Sequence, residues 1–571
     1  MASKSFHSHS HSYSSLMQKR FLICLLFLSL LLLLLVLSLK PKRVAVATTT
    51  TTTATLQVDQ KPRRPPWFNV IAKGVNNIQK IKVGLVNFDV TVDGDIYDQL
   101  DALPPLVDSV SIDFDHVNES LKWEDFFPEW IDENSKWSEP KCPDIPMPGS
   151  ENYGDFNVLV AKVPCGSRDV FMLQVNLVVA NLAVKNEWVT KMEIDHRKVY
   201  IVFIGPCGPM VEIFRCDDIL MHQDEYWVYK PDLRSLKQQT LMPVGSCQLA
   251  PAYAETGREV WRGYIPQLTK STNQNRVQKL AYVTVLHSSE GYVCGAIALA
   301  QSILQSEKRT FQTRELLLLA DKSISPESIK GLKAAGWKIR RIQRILNPFA
   351  KKGSYNEWNY SKLRIWQLTM YDKIIFIDSD FLVLKNIDHL FVYPQLSAAP
   401  NEDTLFNSGL MIIEPSHCMF RNMMEKSSTV KPYNGGDQGF LNEIFTWWHR
   451  LPAKLNYLKT FKQHSGDEKR VVPDDVYTIH FLGVKPWNCY RDYDCNWDIQ
   501  NGQIFASDLA HKRWWQVYDA MPEQLQSYCG LTEKINGRIV DWRRKAKNAS
   551  LSDGHWKIQI KDPRKKHYHS D

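Results

Sequence analysis

The chain lacks several features that would point its function elsewhere. It has 11 cysteines but no Cys-x-x-Cys pair, which excludes a thiolate zinc site of the usual spacing. It carries none of the motifs by which proteins read nucleic acids, and no plastid transit segment. Acidic residues are scarce at the N-terminal end and outnumbered at the C-terminal one: residues 1–66 hold nine Lys or Arg against one acid, and residues 534–571 hold eleven against four. Between them, 67–533 holds 50 bases and 57 acids, so the overall excess of 70 bases over 62 acids belongs to the termini. A surface that grips phosphate backbones would carry its excess on a folded face, so no nucleic-acid partner is expected. What is present is ordinary globular composition, 44% apolar and 23% charged. The 571 residues allow two to four domains of about 150 residues each.

Phe21–Leu39 is a charge-free run of 19 residues, mostly Leu. As a helix it spans about 28 Å, close to the roughly 30 Å hydrocarbon core, and it exceeds the apolar region of a cleaved signal peptide. The reading is a retained signal-anchor at 21–39 behind a cytosolic tip at 1–20. A flexible stem follows at 40–66, where a Thr run (Thr48–Thr53) and Lys61-Pro-Arg-Arg-Pro-Pro66 cannot build a core. This layout predicts a single-pass type II Golgi membrane protein with a lumenal body. Ten cysteines lie beyond the anchor; disulfides in an oxidising lumen and buried free thiols are the two readings. Asn118, Asn359 and Asn548 open N-glycosylation sequons.

From 67 to 275 the apolar runs Ile81–Val90, Val170–Val184, Val199–Gly205 and Met210–Phe214 are rich in Val and Ile and favour strands. This region is expected to be a mixed α/β accessory domain. From 276 to 533 apolar strands alternate with helical patterns. Strands are expected at Leu280–Leu286, Glu315–Ala320, Lys338–Ile345 and Lys373–Ile377, and helices at Cys294–Leu304, Pro326–Ala335 and Ser361–Met370. Such alternation implies a parallel sheet with right-handed crossovers, whose ligands bind beyond the carboxyl ends of strands. Asp378-Ser-Asp380 occupies that place. Two carboxylates so close repel each other, and a divalent metal resolves the repulsion, although an isolated Asp-x-Asp also serves as a solvated turn. Residues 534–571 are a basic tail of unassigned purpose.

Downstream stand Phe406-Asn-Ser-Gly409, Gly435-Gly-Asp-Gln-Gly439 and His480-Phe-Leu-Gly-Val-Lys-Pro-Trp487. With Tyr282-Val-Thr-Val-Leu286, Tyr292, Asn359-Tyr-Ser-Lys-Leu-Arg-Ile-Trp366 and Ile377-Asp-Ser-Asp380, they make the region 277–500 resemble glycosyltransferase family 8, the retaining sugar-nucleotide transferases that include glycogenin. The N-terminal region and Cys489-Tyr-Arg-Asp-Tyr-Asp-Cys-Asn-Trp497 resemble a plant subgroup, the UDP-glucuronate:xylan α-glucuronosyltransferases. The resemblance implies a GT-A-type catalytic domain with a mostly parallel, Rossmann-like sheet. It implies Mn²⁺ held by Asp378, Asp380 and His480, and a diphosphate contacted around Phe481, Leu482, Gly483, Val484 and Lys485. Val285, His287, Ser288 and Tyr292 would line the nucleotide pocket, in a segment one residue longer than glycogenin's, with Ser379 between the metal carboxylates. Asn407, Ser408, Gly409, Asn434, Gly435, Gly436, Asp437 and Gln438 would line the donor-sugar and acceptor side. Lys362, Asp437 and Gln438 are the catalytic candidates.

The expected reaction is retaining transfer of glucuronic acid from UDP-glucuronate to xylan, either through a covalent intermediate on Asp437 or by same-face attack. A self-glucosylating primer and an inactive wall-synthesis scaffold are the alternatives; a homodimer or synthase complex is left open. Lys362, Arg364 and Arg491 are unranked candidates for the uronate carboxylate. Trp447, Trp448, Trp487, Trp497, Trp514 and Trp515 are candidates for stacking on sugars, with at least half expected in the core.

Overall fold

The computed structural model describes residues 65–564 except 76–79, 90, 102, 104–106, 134–141, 150–152, 185–197, 251–278, 307–313, 403 and 462–469. The anchor, Cys24, the stem up to residue 64 and the last residues of the basic tail fall outside the described residues, while Pro66, placed at the end of the stem, opens a helix, Pro66–Val75. Among the described residues no helix is long and apolar enough to cross a membrane. Residues 62–571 form one compact unit.

Two large sheets organise that unit, and both are mixed α/β as expected. The first contains β1 (Ile81–Val86), β2 (Val107–Ile112), β3 (Val158–Lys162), β4 (Tyr200–Ile204), β5 (Ile219–Gln223) and β6 (Tyr226–Tyr229), in the order β2-β1-β3-β4-β6-β5. β2, β1, β3 and β4 run parallel, and β6 and β5 fold back antiparallel. Parallel neighbours need a long crossover, usually a helix. That requirement corrects the reading of Val170–Val184, which is a 15-residue helix between β3 and β4 rather than a strand. Its β-branched residues are tolerated because 11 of its 15 residues are buried, so packing overrides propensity. The Asp169 side chain accepts a hydrogen bond from Met172 N at 2.6 Å and starts the helix. Gln174 is wholly buried yet fully used: its Oε1 accepts from Val117 N at 2.8 Å, and its Nε2 donates to the carbonyls of Asp115 and Pro146. Met210–Phe214 is a turn segment, also not a strand.

The second sheet contains β7 (Leu280–Leu286), β8 (Glu315–Ala320), β9 (Lys338–Arg341), β10 (Lys373–Ile377), β12 (Ser397–Glu402), β13 (Leu405–Ile413) and β14 (His449–Arg450), ordered β14-β12-β13-β10-β7-β8-β9. β10, β7, β8 and β9 are parallel, while β13 runs antiparallel to β10 and β12. From β7 the chain steps outward to β8 and β9, then returns to the other side of β7 as β10. The strand order therefore reverses between β7 and β10, which places the ligand crevice at their carboxyl ends. The expected helix at Ser361–Met370 is instead a 3₁₀ segment, Tyr355–Gln367. A small third sheet pairs β11 (Phe381–Val383), β16 (Thr478–His480) and β15 (Tyr457–Leu458).

One continuous apolar core joins the two regions, running from Val86 and Phe203 to Trp366 and Trp448. Five disulfides pair all ten cysteines beyond the proposed anchor: 142–247, 165–207, 216–418, 294–529 and 489–495. Free thiols are thereby ruled out for these ten. Replacing Cys216 and Cys418 together by Ser is expected to destabilise the protein by about 2–4 kcal/mol. Thermal unfolding followed by circular dichroism checks this; an unchanged midpoint refutes it.

Candidate active site

β10 reads Lys-Ile-Ile-Phe-Ile, and its last four residues are buried between β7 and β13. The strand stops at Asp378, whose N–H donates to Gly409 O at 2.8 Å; Phe381 N then closes a turn on Asp378 O at 3.2 Å. This turn presents Asp378 and Asp380 at the crevice. β11 leaves it and pairs antiparallel with β16, with Phe381 opposite His480. That register carries an imidazole from 100 residues downstream to Asp380, His480 Nε2 lying 3.5 Å from Asp380 Oδ1. Asp378, Asp380 and His480 have ligand atoms all within 4.8 Å of one another, a donor set that could hold a divalent metal ion. Gly409 makes room for the ring, since a Cβ there would stand 2.8 Å from His480 Cε1.

Two lysines balance the carboxylates. Lys362 Nζ lies 3.3 Å from Asp378 and 2.6 Å from Asp437 Oδ2, and Lys485 Nζ lies 2.7 Å from Asp380 Oδ2. Burial opposes the charge on Lys362, but the two aspartates more than offset it and hold its pKa above the ordinary lysine value. Asp380 is likewise opposed by burial, yet Lys485 and His480 keep its carboxyl below the usual range. Asp378 goes the other way: burial, with repulsion from Asp380 and Asp437, raises it to about 7 despite Lys362. Burial lowers His480 to about 4, so its imidazole is neutral at physiological pH and free to act as a ligand.

Asp437 is the first residue of the helix Asp437–Ile444, where the dipole favours a carboxylate. Its Oδ1 accepts from Asn359 Nδ2 at 2.9 Å, and its Oδ2 is held by Lys362 and by Ser408 Oγ at 3.5 Å. Gln438 Oε1 accepts from Ser408 N at 3.1 Å, which ties the helix to β13.

A cavity of about 450 Å³ opens above these groups. Of the sequence-derived candidates it brings together Val285, His287, Ser288, Tyr292, Lys362, Asp378, Ser379, Asp380, Ser408, Asn434, Gly436, Asp437 and Gln438. Gly483, Val484 and Lys485 instead line an adjoining cavity of about 660 Å³, which shares Ser289 and Tyr292 with the first. Asn407, Gly409, Gly435, His480, Phe481 and Leu482 line neither. Of the three cations considered for the uronate, Lys362 lines the cavity of about 450 Å³, whereas Arg364 donates to Gln343 O and Arg491 pairs with Asp519. Five of the six tryptophans are core, between 0 and 4% exposed; Trp497 is half-buried under Arg470 and lines neither cavity.

Several residues at the site escaped the sequence reading. Asn359 was marked by its sequon and as the first residue of a family motif, but not as a site residue; it is 6% exposed and bonded to Asp437, so it cannot receive a glycan in the folded protein. Asn118 and Asn548 are exposed. Tyr355 and Asn356 also line the cavity of about 450 Å³. Asn456, 2% exposed, orients the metal histidine. Gly409 N–H donates to Asn407 Oδ1 at 2.9 Å, which makes that oxygen an acceptor; Asn456 Nδ2 donates to it at 2.9 Å, leaving Asn456 Oδ1 to accept from His480 Nδ1 at 3.2 Å. Nε2 then keeps its lone pair on the Asp380 side. No local pattern signals Asn456, because its partners are distant in sequence.

A crevice at a strand-order reversal, fitted with carboxylates, a neutral imidazole and lysines, suits the binding of a nucleotide sugar and the departure of its anionic diphosphate; this is the glycosyltransferase class. Two family models support it: "Glycosyl transferase family 8" matches residues 283–399 and 393–490, and "GUX1-5 N-terminal domain" matches residues 59–247. A protein of Arabidopsis thaliana, named provisionally as UDP-glucuronate:xylan alpha-glucuronosyltransferase 4, is 50% identical over 518 residues, covering 89% of this chain and 90% of that one. UDP-glucuronate:xylan alpha-glucuronosyltransferase 2 of the same plant is 48% identical over 503 residues, 85% of this chain and 81% of that one. Human glycogenin-1 is 30% identical over 279 residues, 44% of this chain and 75% of that one. The chain belongs to glycosyltransferase family 8, in the group of the plant xylan glucuronosyltransferases.

Two outcomes follow from the geometry. Below its raised pKa, Asp378 carries a proton that a divalent cation must displace, so cation affinity is expected to rise with pH up to about 7 and then level. Calorimetric titration of Mn²⁺ at several pH values checks this, and a flat profile between pH 5.5 and 7.5 refutes it. Replacing Asn456 by Ala is expected to weaken cation binding about 10–100-fold with an unchanged fold. Electron paramagnetic resonance of added Mn²⁺ measures it; wild-type affinity would refute the orienting role.

Proposed function

We propose that the protein transfers glucuronic acid from UDP-glucuronate to xylan with retention of configuration, using Mn²⁺. The observation that carries this reading is the buried Asp378–Asp380–His480 cluster at the strand-order reversal, in a chain half identical to a named xylan glucuronosyltransferase along most of its length. Two hard carboxylates with one imidazole suit Mn²⁺ better than Mg²⁺. The bound ion would supply Lewis-acid charge at the departing UDP. The chain's own groups do the rest. Lys485, beside Asp380, offsets diphosphate charge at the edge of the metal cluster. Lys362, the one uronate candidate in the donor cavity, adds positive charge near the sugar. Asp437 faces the donor with both oxygens already engaged by Asn359 and Lys362, which makes it a poor nucleophile and a good electrostatic partner for an oxocarbenium-like transition state. This favours same-face attack over a covalent intermediate.

The cellular reading is a Golgi membrane protein, anchored through Phe21–Leu39 with its body in the lumen. The complete pairing of ten cysteines supports an oxidising compartment. An inactive scaffold is disfavoured because Asp378, Asp380, His480, Lys362 and Lys485 are all present and in mutual reach.

The test is a donor panel with Mn²⁺ and xylo-oligosaccharides. UDP-glucuronate is expected to give labelled product, and Asp378→Asn is expected to abolish it in a folded protein. Product from UDP-glucose or UDP-galactose alone would overturn the donor assignment, and glucose added to the protein itself would favour the primer reading.

A further inference from the structure

The basic C-terminal region contains an uncommitted stripe. The helix Glu533–Asn548 is capped by Thr532, whose Oγ1 accepts from Ile535 N at 3.2 Å. On it, Lys534, Arg538 and Trp542 recur at i, i+4 and i+8 and so share one face. All three line the cavity of about 660 Å³, together with Tyr292 and Tyr528. Of the other cations on the helix, Arg544 and Lys545 pair with Asp541, Arg543 donates to Tyr493 Oη and to nearby carbonyls, and Lys547 stands in the last turn and lines neither cavity. Lys534 and Arg538 are exposed and form no ion pair among the described residues. The one carboxylate lining this cavity, Glu290, is occupied by Ser325 N and Ser328 Oγ, and Lys485 by Asp380. The cavity thus presents two cations that are not paired with its one carboxylate, together with aromatic side chains, and its volume lies within the roughly 300–1,000 Å³ of ligand sites.

A transferase needs a second substrate beside its donor, and this cavity meets the donor cavity along a shared wall, Ser289 and Tyr292. A neutral glycan has no use for two free cations; a chain bearing uronate carboxylates does, and aromatic faces suit sugar rings. We propose that this cavity is the acceptor cleft and that it takes an acidic glycan, with Trp542 and Tyr528 against sugar rings and Lys534 and Arg538 on carboxylates of uronates already on the chain. This rests on the donor reading above. Its consequence is that a chain decorated once is a better acceptor than an undecorated one.

The test uses the soluble body of the protein and the variants Lys534→Ala and Arg538→Ala, exposed helix positions that alanine fits. Two acceptors of equal length are compared, a neutral xylo-oligosaccharide and one bearing a glucuronate, together with hydrolysis of UDP-glucuronate in the absence of acceptor. Binding of each oligosaccharide without donor is measured by calorimetry. The expected result is an acceptor KM and Kd raised about tenfold per variant for the acidic chain, with the neutral chain and donor hydrolysis unchanged. Equal effects on both chains, or none, overturn the uronate contacts. A rise in donor KM assigns the cavity to the nucleotide instead and overturns the proposal. Failure of the donor reading shows separately, as absent hydrolysis of UDP-glucuronate by the unmodified protein, while the calorimetric comparison still decides the cleft.

Discussion

The site is governed by the cost of crowding carboxylates in a buried crevice. Two like charges about 4 Å apart repel by about 4 kcal/mol at an effective dielectric constant near 20. Asp378, Asp380 and Asp437 would all repel one another without the lysines, and Lys362 is placed to answer two of them at once. Three carboxylates and two ammonium groups leave one negative charge. Its imprint is the raised Asp378, the group that a cation would relieve most. A dication turns the balance to one positive charge, matched to an anionic nucleotide sugar. Buried ion pairs add little net stability, so this arrangement is better understood as readiness for a ligand than as a device that holds the fold together.

That readiness depends on rigid supports. The amide chain from Asn407 through Asn456 fixes His480, so the Asn-Ser-Gly motif supports that imidazole from behind while Ser408 alone of the three faces the cavity. A second support holds the loop Phe481–Lys485. Asn496 accepts from Val484 N at 2.9 Å and donates to Val484 O at 3.0 Å, and Gly483, at φ +74°, leaves room for it. Asp494 in turn accepts from Asn496 and pairs with Lys459 at 2.6 Å, both side chains 1% exposed. Lys459 N–H donates to His480 O at 3.0 Å, which joins the two supports. Breaking such a buried pair costs about 3–5 kcal/mol, enough to displace every group it positions.

What was legible in the sequence was what is local. Asp378 and Asp380 lie two residues apart at the end of an apolar strand, and strand alternation with helices gave the parallel sheet that puts them at its edge. Tyr292, Lys362 and His480 were legible through family motifs. Val170–Val184 misled because β-branched composition stands for strand only when neither chain reversal nor crossover intervenes; the parallel pairing of β3 and β4 decided the matter. The tryptophans went mostly to the core, as expected, because size draws them there before chemistry can claim them. Asn359 shows a second cause of misreading: a three-residue pattern carries no information about burial, and this asparagine spends its amide on Asp437. Asn456 and Asn496 were invisible because their value lies in partners that only the fold brings near.

The N-terminal region contributes from a distance. Among the described residues up to 250, none lines either cavity. They meet the catalytic region instead around the far end of the helix that begins with Asp437. Arg168 donates to Asn442 O and pairs with Glu443 at 3.2 Å. Glu212 accepts from Thr446 N at 2.8 Å and from Trp447 N at 3.2 Å, just past the helix end. Cys216 is bonded to Cys418, and Arg450 donates to the carbonyls of Pro128 and Glu129. A helix eight residues long has little stability of its own, so its position must be imposed by packing. The N-terminal region holds that helix at Asn442–Trp447, and Lys362 and Asn359 hold it at Asp437, so both of its ends are fixed by groups from other parts of the chain.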